Sequence, residues 1–179
     1  FQAINSQQLA SIKVNRGGGC DIQGEFQHPT REISWEPLFF NEEIRIMQLI
    51  SGPHMFAEQI EGANAFDAIL FHGTGLGHLP IENSNGDSPE NDAMKEAISD
   101  YCKNGGIAVM ATQCINGPVH MDVYSKGRIQ QELGIIGNHS TTGPDSALIK
   151  LHFLLSSKKD VRKGWAADLC GENQPKISN

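Results

Sequence analysis

The chain is 179 residues long and has little that would fix its class at a glance. No apolar run approaches the roughly 20 residues of a membrane span, and its start shows no basic segment followed by an apolar one. Neither a bilayer helix nor a signal peptide is expected. Basic residues are outnumbered 14 to 21, and the net charge of -7 argues against a general nucleic-acid or membrane-surface binder, which needs a basic face. A partner could still supply that face. The four cysteines (Cys20, Cys102, Cys114 and Cys170) are scattered, without a Cys-x-x-Cys pair or zinc spacing. That pattern argues against a disulfide framework and for a reducing, cytoplasmic compartment. An initial methionine is missing too: the chain opens on Phe1, which suggests a fragment or a processed piece.

What is present is ordinary for a globular domain, with 39% hydrophobic and 20% charged residues. Residues 1–42 mix glycine, proline and polar residues without sustained periodicity and read as an extended connector. Within it, Ile12 and Val14 alternate with polar neighbours, as in a short edge strand. From residue 43 the texture changes. "EIRIMQL" predicts a strand ending near Leu49, and "FDAILF" a second strand, apolar enough to be buried on both faces. Between them, Met55, Phe56, Gln59 and Ile60 fall at helical spacing after Pro53, with Gly62 as the stop.

Ser88 reads as an N-cap and Pro89 as the first residue of a helix whose inner face carries Ala93, Ala97, Ile98 and Tyr101. Asn104-Gly105-Gly106 ends that helix, and "IAVMA" (107–111) is a third buried strand. This order predicts a parallel βαβαβ unit with right-handed crossovers. Three further helices are expected at about 123–133, after Thr142, and at 159–169. The second of them has Asp145 as a capping-box partner and Ala147, Leu148, Leu151, Leu154 and Leu155 inward. Residues 43–172 then form a Rossmann-like, three-layer α/β domain with a short parallel sheet, and 173–179 a tail.

Ligands bind beyond the carboxyl ends of parallel strands, where "HGTGLGH" and "TQCINGP" lie. A dinucleotide reading of Gly73-Thr74-Gly75-Leu76-Gly77 fails on spacing, because position 78 is His and Pro80 separates the loop from its helix. No metal site is expected, since His72, His78, His120 and His139 show no helical i, i+4 pairing. Cys114 follows a strand as a nucleophile would, yet no base is placed beside it, and a buried inert thiol is the plainer reading. Tyr124, Lys126 and Arg128, at a helix start, could meet anionic groups or simply be solvated. The residues alone describe a binding half without a catalytic set.

In order along the chain, "FQAIN" with "LASI", "HGTGLGHLP", "TQCINGPVHMDVYSKGR", "GIIGNHSTTGPDSALIKLHFLLS" and "DVRKGWAADLCGE" resemble the C-terminal domain of the L-asparaginase superfamily. "GTGLGH" leans toward the branch that forms the glutamine-hydrolysing part of archaeal glutamyl-tRNA(Gln) amidotransferases, and "ALIKLHFLL" is shared with cytosolic type I asparaginases. The pattern departs at Pro118, where a basic residue is usual, and at "STTGPDSA", where an Asp-Met-x-Pro-Glu-x-Ala helix start is usual.

The resemblance implies a parent that hydrolyses glutamine and supplies ammonia for amidating glutamate on tRNA during protein biosynthesis. It also leaves open a cytosolic asparaginase, or a non-catalytic sensor of amino-acid amides. The family's nucleophilic threonine lies in a Thr-Gly-Gly-Thr motif of a preceding domain, which this chain does not contain, so no catalytic residue is expected here. It implies a homodimer in which Thr74, Gly75, Gly77 and His78 reach the neighbouring subunit's amino-acid pocket. The position matching His78 is an asparagine in the secreted enzymes. It further implies a possible effector or loop site at Gln113, Cys114 and Tyr124, Cys114 matching a cysteine that borders an allosteric asparagine site in some cytosolic members. ATP and Mg would belong to a partner subunit, not to this domain.

Overall fold

The computed structural model describes residues 11–24, 40–114 and 117–173. "FQAIN", most of the expected connector and residues 174–179 of the expected tail lie outside the described residues.

The first element is a hairpin of β1 (Ser11–Val14) and β2 (Cys20–Gln23), antiparallel, with Ile12 opposite Ile22. Ile12, Val14 and Ile22 are all exposed. The alternation at Ile12 and Val14 thus gives the expected strand, but its apolar side is uncovered among the described residues.

The main sheet has three parallel strands in the order β3 (Ile46–Ile50), β4 (Ala68–Gly73) and β5 (Ile107–Thr112). Ile46 pairs with Ala68, which pairs with Ile107, so the strands run in step and end together. Both connections are helical: α1 (Ala57–Glu61) continues into a 3-10 turn at Gly62–Ala65, and α2 (Pro89–Lys103) follows the glycine loop. Every residue of β4 is buried, because successive side chains point into two different cores. Ile69 and Phe71 join Ala108 and Met110 against Ile60, Met94, Ile98 and Tyr101 on one side. Ala68 and Leu70 join Val109 and Ala111 on the other side, against Ala147, Leu151, Leu154 and Trp165. Those last side chains come from α4 (Pro144–Ser156) and α5 (Val161–Ala166). The result is the three-layer α/β arrangement the strand spacing predicts, with no closed barrel among the described residues.

Several local expectations are corrected. Gly62 ends α1 as its C-cap, as expected, but its φ of -64° is right-handed rather than left-handed, and the chain continues as the 3-10 turn. Phe56 sits at the N-cap and is exposed rather than inward. On α2, Ser88 caps as expected by accepting from the Asn91 amide, but Met94 and not Ala93 fills the inner face. The cap of α4 is Gly143 rather than Thr142, so no capping box forms with Asp145. The Thr142 hydroxyl instead donates to Asn173 Oδ1 at 2.9 Å. Cys114 is exposed, not buried.

Candidate functional site

Because the three strands end in step, their carboxyl ends form one ledge, and the glycine loop stands on it. β4 does not stop at the apolar residues but runs through His72 and Gly73. His72 is buried, with Nε2 3.1 Å from Gln48 Oε1 on β3, and burial holds its pKa below the ordinary value. The loop then closes on itself. The amides of Gly77 and His78 both donate to the Thr74 carbonyl, at 3.0 and 2.9 Å, and the Thr74 amide donates to the His78 carbonyl at 3.0 Å.

Gly77 is required here on two counts. Its φ of +94° is left-handed, and a Cβ would lie 2.9 Å from Val119 Cγ1 and 3.0 Å from Met110 Cγ. Gly75 is also left-handed at +53°, but nothing lies within 4 Å of where its Cβ would be. It is the open side of the loop.

Four side chains outside the glycine motif lash this loop down. Ser51, just past β3, donates to the His78 carbonyl at 2.9 Å, alongside the Thr74 hydroxyl at 3.2 Å. Thr112, at the end of β5, donates to the Gly75 carbonyl in a short hydrogen bond. The Gln113 side-chain amide donates to the carbonyls of Ser51 and His72 at 2.9 and 2.7 Å, and its backbone amide donates to the Gly73 carbonyl at 2.9 Å. One glutamine therefore ties the ends of all three strands together. Gln130 is fully buried on α3 (Ser125–Glu132), donates to the Gly77 carbonyl at 2.8 Å and accepts from the Leu79 amide at 2.7 Å.

Of the residues the sequence singles out, the structure brings together Thr74, Gly75, Gly77, His78 and Tyr124. The His78 ring meets the Tyr124 ring edge to face with centroids 5.5 Å apart. Its Nε2 is enclosed without a hydrogen-bond partner among the described residues. Burial, and then the nearby Lys126 charge, lower its pKa, so the ring is neutral near pH 7. Thr74 commits its amide and hydroxyl to the loop itself, as do the Gly77 and His78 amides. A backbone cradle for a carboxylate narrows to Gly75 and Leu76 at most. Cys114 stands beside the ledge, its amide donating to Thr112 Oγ1 at 3.1 Å. Gln113 is occupied by backbone carbonyls. Arg128 donates to the Asp122 carbonyl at 2.9 Å.

Sequence reasoning assigns Ser51, Thr112 and Gln130 no role. Ser51 and Thr112 open the "SG" and "TQCINGP" stretches at the strand ends without being singled out, and Gln130 shows only as a polar residue three positions after Gly127 on its helix. The lack of a helical pair also did not keep histidines apart, since His120 and His139 meet around Asp122.

Known proteins share this fold. Residues 45–164 match the glutaminase/asparaginase C-terminal domain family. The chain is 27% identical to a subunit of the glutamyl-tRNA(Gln) amidotransferase of Metallosphaera sedula, aligned over 99% of this chain and 38% of that one. It is 34% identical to L-asparaginase 1 of Escherichia coli over 50% of this chain and 27% of the other. The thermostable L-asparaginase of Thermococcus kodakarensis shares the fold, with a TM-score of 0.76, 23% identity, and coverage of 98% of this chain and 50% of that one. The chain thus spans well under half the length of the curated relatives it matches. Its matched residues contain the whole parallel sheet and the loop on its ledge, and the chain belongs to the glutaminase/asparaginase C-terminal domain family.

Proposed function

We propose that this chain is the C-terminal part of an asparaginase-type amidohydrolase, and that the whole protein hydrolyses glutamine to supply ammonia to a tRNA-dependent amidotransferase. The observation that carries this reading is the glycine loop. It is closed on itself, fixed to the ends of three strands, and presents an open Gly75 edge beside a neutral His78 ring.

Such a surface recognises a small amino acid by approach and shape and does no proton transfer of its own. Thr74 and Gly77 hold the loop, while Gly75 and His78 face the substrate in the pocket of a neighbouring subunit of a homodimer. The nucleophile and its base come from the preceding domain, where a threonine hydroxyl attacks the side-chain amide and releases ammonia. A second subunit, with ATP and Mg, uses the ammonia on glutamyl-tRNA. The reading places the protein in the cytoplasm, and no described helix is long and apolar enough to cross a membrane.

The test uses the full-length protein, with ammonia release from glutamine as the readout. His78→Ala should raise KM about tenfold, the worth of one good contact, with folding stability unchanged. An unchanged KM would remove the loop from the substrate site. The similarity to L-asparaginase 1 keeps a second reading, a free-standing asparaginase. Activity on asparagine that is indifferent to partner subunit and tRNA would favour it, and dependence on them would favour the amidotransferase.

A further inference from the structure

Among the described residues, one group of side chains has the composition of a metal site: His120, Asp122 and His139, each offering a ligand atom within 4.8 Å of the others. It lies beside the glycine loop, since the His120 amide donates to the Leu76 carbonyl at 2.8 Å. We propose that these three side chains bind a divalent transition-metal ion of the zinc type, with a fourth position open to solvent. The proposal stands independently of the amidohydrolase reading.

The backbone holds the three residues in register before any ion arrives. The His139 amide donates to the Val119 carbonyl at 2.8 Å and the Val119 amide to the Ser140 carbonyl at 2.9 Å, while the Met121 amide donates to Asn138 Oδ1 at 2.8 Å. His120 and Asp122 are therefore fixed on one segment and His139 on the segment paired with it. The Asp122 carboxylate is oriented as a metal-bound carboxylate is. Asn138 and Gln131 both donate to its Oδ1, at 2.8 and 3.1 Å, so Oδ2 points at His139 Nε2, 2.9 Å away. Two ligand atoms on a tetrahedral ion with bonds of about 2.0 Å sit about 3.3 Å apart, so this pair needs only a small opening. His139 and Asp122 are 37% and 48% exposed, which leaves them free to close the longer separations. His120 Nδ1 is enclosed and has no hydrogen-bond partner among the described residues, so pairing at that nitrogen does not explain the ring's placement. Two imidazoles and one carboxylate suit Zn²⁺ and its borderline neighbours, whereas Ca²⁺ and Mg²⁺ take oxygen ligands.

The experiment titrates Zn²⁺ into EDTA-treated full-length protein by calorimetry, with Co²⁺ absorption as a second readout. One ion per chain should bind, and Co²⁺ should give the visible spectrum of a four-coordinate centre. His139→Asn keeps a residue that tolerates the left-handed φ of 67° but removes the imidazole. It should weaken binding by about tenfold or more, as should Asp122→Asn, and His54→Ala should leave binding unchanged. If His120→Ala does not fold, the two exposed positions still decide. No saturable binding, or binding equal in wild type and His139→Asn, overturns the proposal.

Discussion

At the scale of single residues, the site depends on side chains that spend their polarity on backbone. Gln130 is the clearest case, because a buried amide satisfies one carbonyl and one N–H on either side of His78. Gln130→Leu keeps the volume but strands the Gly77 carbonyl and the Leu79 amide in a buried place. Each buried unpaired group costs about 1–3 kcal/mol, so the two together predict a loss of roughly 2–6 kcal/mol in urea unfolding. A loss below about 0.5 kcal/mol would show that the loop re-pairs without it. His78 illustrates what could be read early and what could not. Its position after three glycines is plain in sequence, but its neutrality follows from enclosure by Tyr124 and the charge of Lys126, which only the fold places there.

At the scale of elements, α4 is pinned to the segment that follows α5 by an ion pair that the sequence disguises. Lys150 sits on the inward side of an apolar helix, and its ammonium lies 2.7 Å from Glu172, with both side chains almost fully buried. It also donates to the carbonyls of Trp165 and Ala167, at 2.9 and 2.6 Å, so all three of its protons have partners. Burial acts to raise the Glu172 pKa. The Lys150 ammonium and the amides of Cys170 and Leu169 outweigh it and hold the carboxyl down at about 2. The folded pKa is thus below the unfolded value of 4.5, so the pair's stabilisation is complete above that value and fades as pH falls toward 2. At about 1.4 kcal/mol per unit the full effect is at most about 3 kcal/mol. Denaturant unfolding should show wild type losing that increment between pH 5 and 2, while Glu172→Gln shows a flatter profile from a lower starting stability. Parallel profiles for the two proteins would mean the pair does not set acid stability.

At the scale of the whole molecule, the proposed function divides the chemistry between two domains. The loop is closed on itself and its histidine neutral, and the proposed threonine nucleophile belongs to the preceding domain, since this chain contains no Thr-Gly-Gly-Thr segment. The 179-residue chain by itself should therefore release no ammonia from glutamine or asparagine in a coupled assay, and turnover by a contaminant-free sample would sink the proposed division of labour. Large apolar side chains such as Val14, Ile50 and Tyr124 are also exposed in this chain alone.

The sequence by itself determined the layering. The buried strands "FDAILF" and "IAVMA", the Ser88 cap and the Asn104-Gly105-Gly106 stop are local signals, and local backbone preferences suffice to specify them. It also marked the glycine loop, since only a site of close backbone approach or left-handed turns uses that many glycines. Tertiary structure alone decided what holds the loop and what gathers beside it. Gln113 and Gln130 act on carbonyls tens of positions away, Lys150 finds Glu172 across two helices, and His120 and Asp122 meet His139 from a separate segment. No sequence period encodes those meetings. The loop contacts arise because three strands of matched register end together, and the Lys150 pair because α4 and the segment after α5 pack side by side.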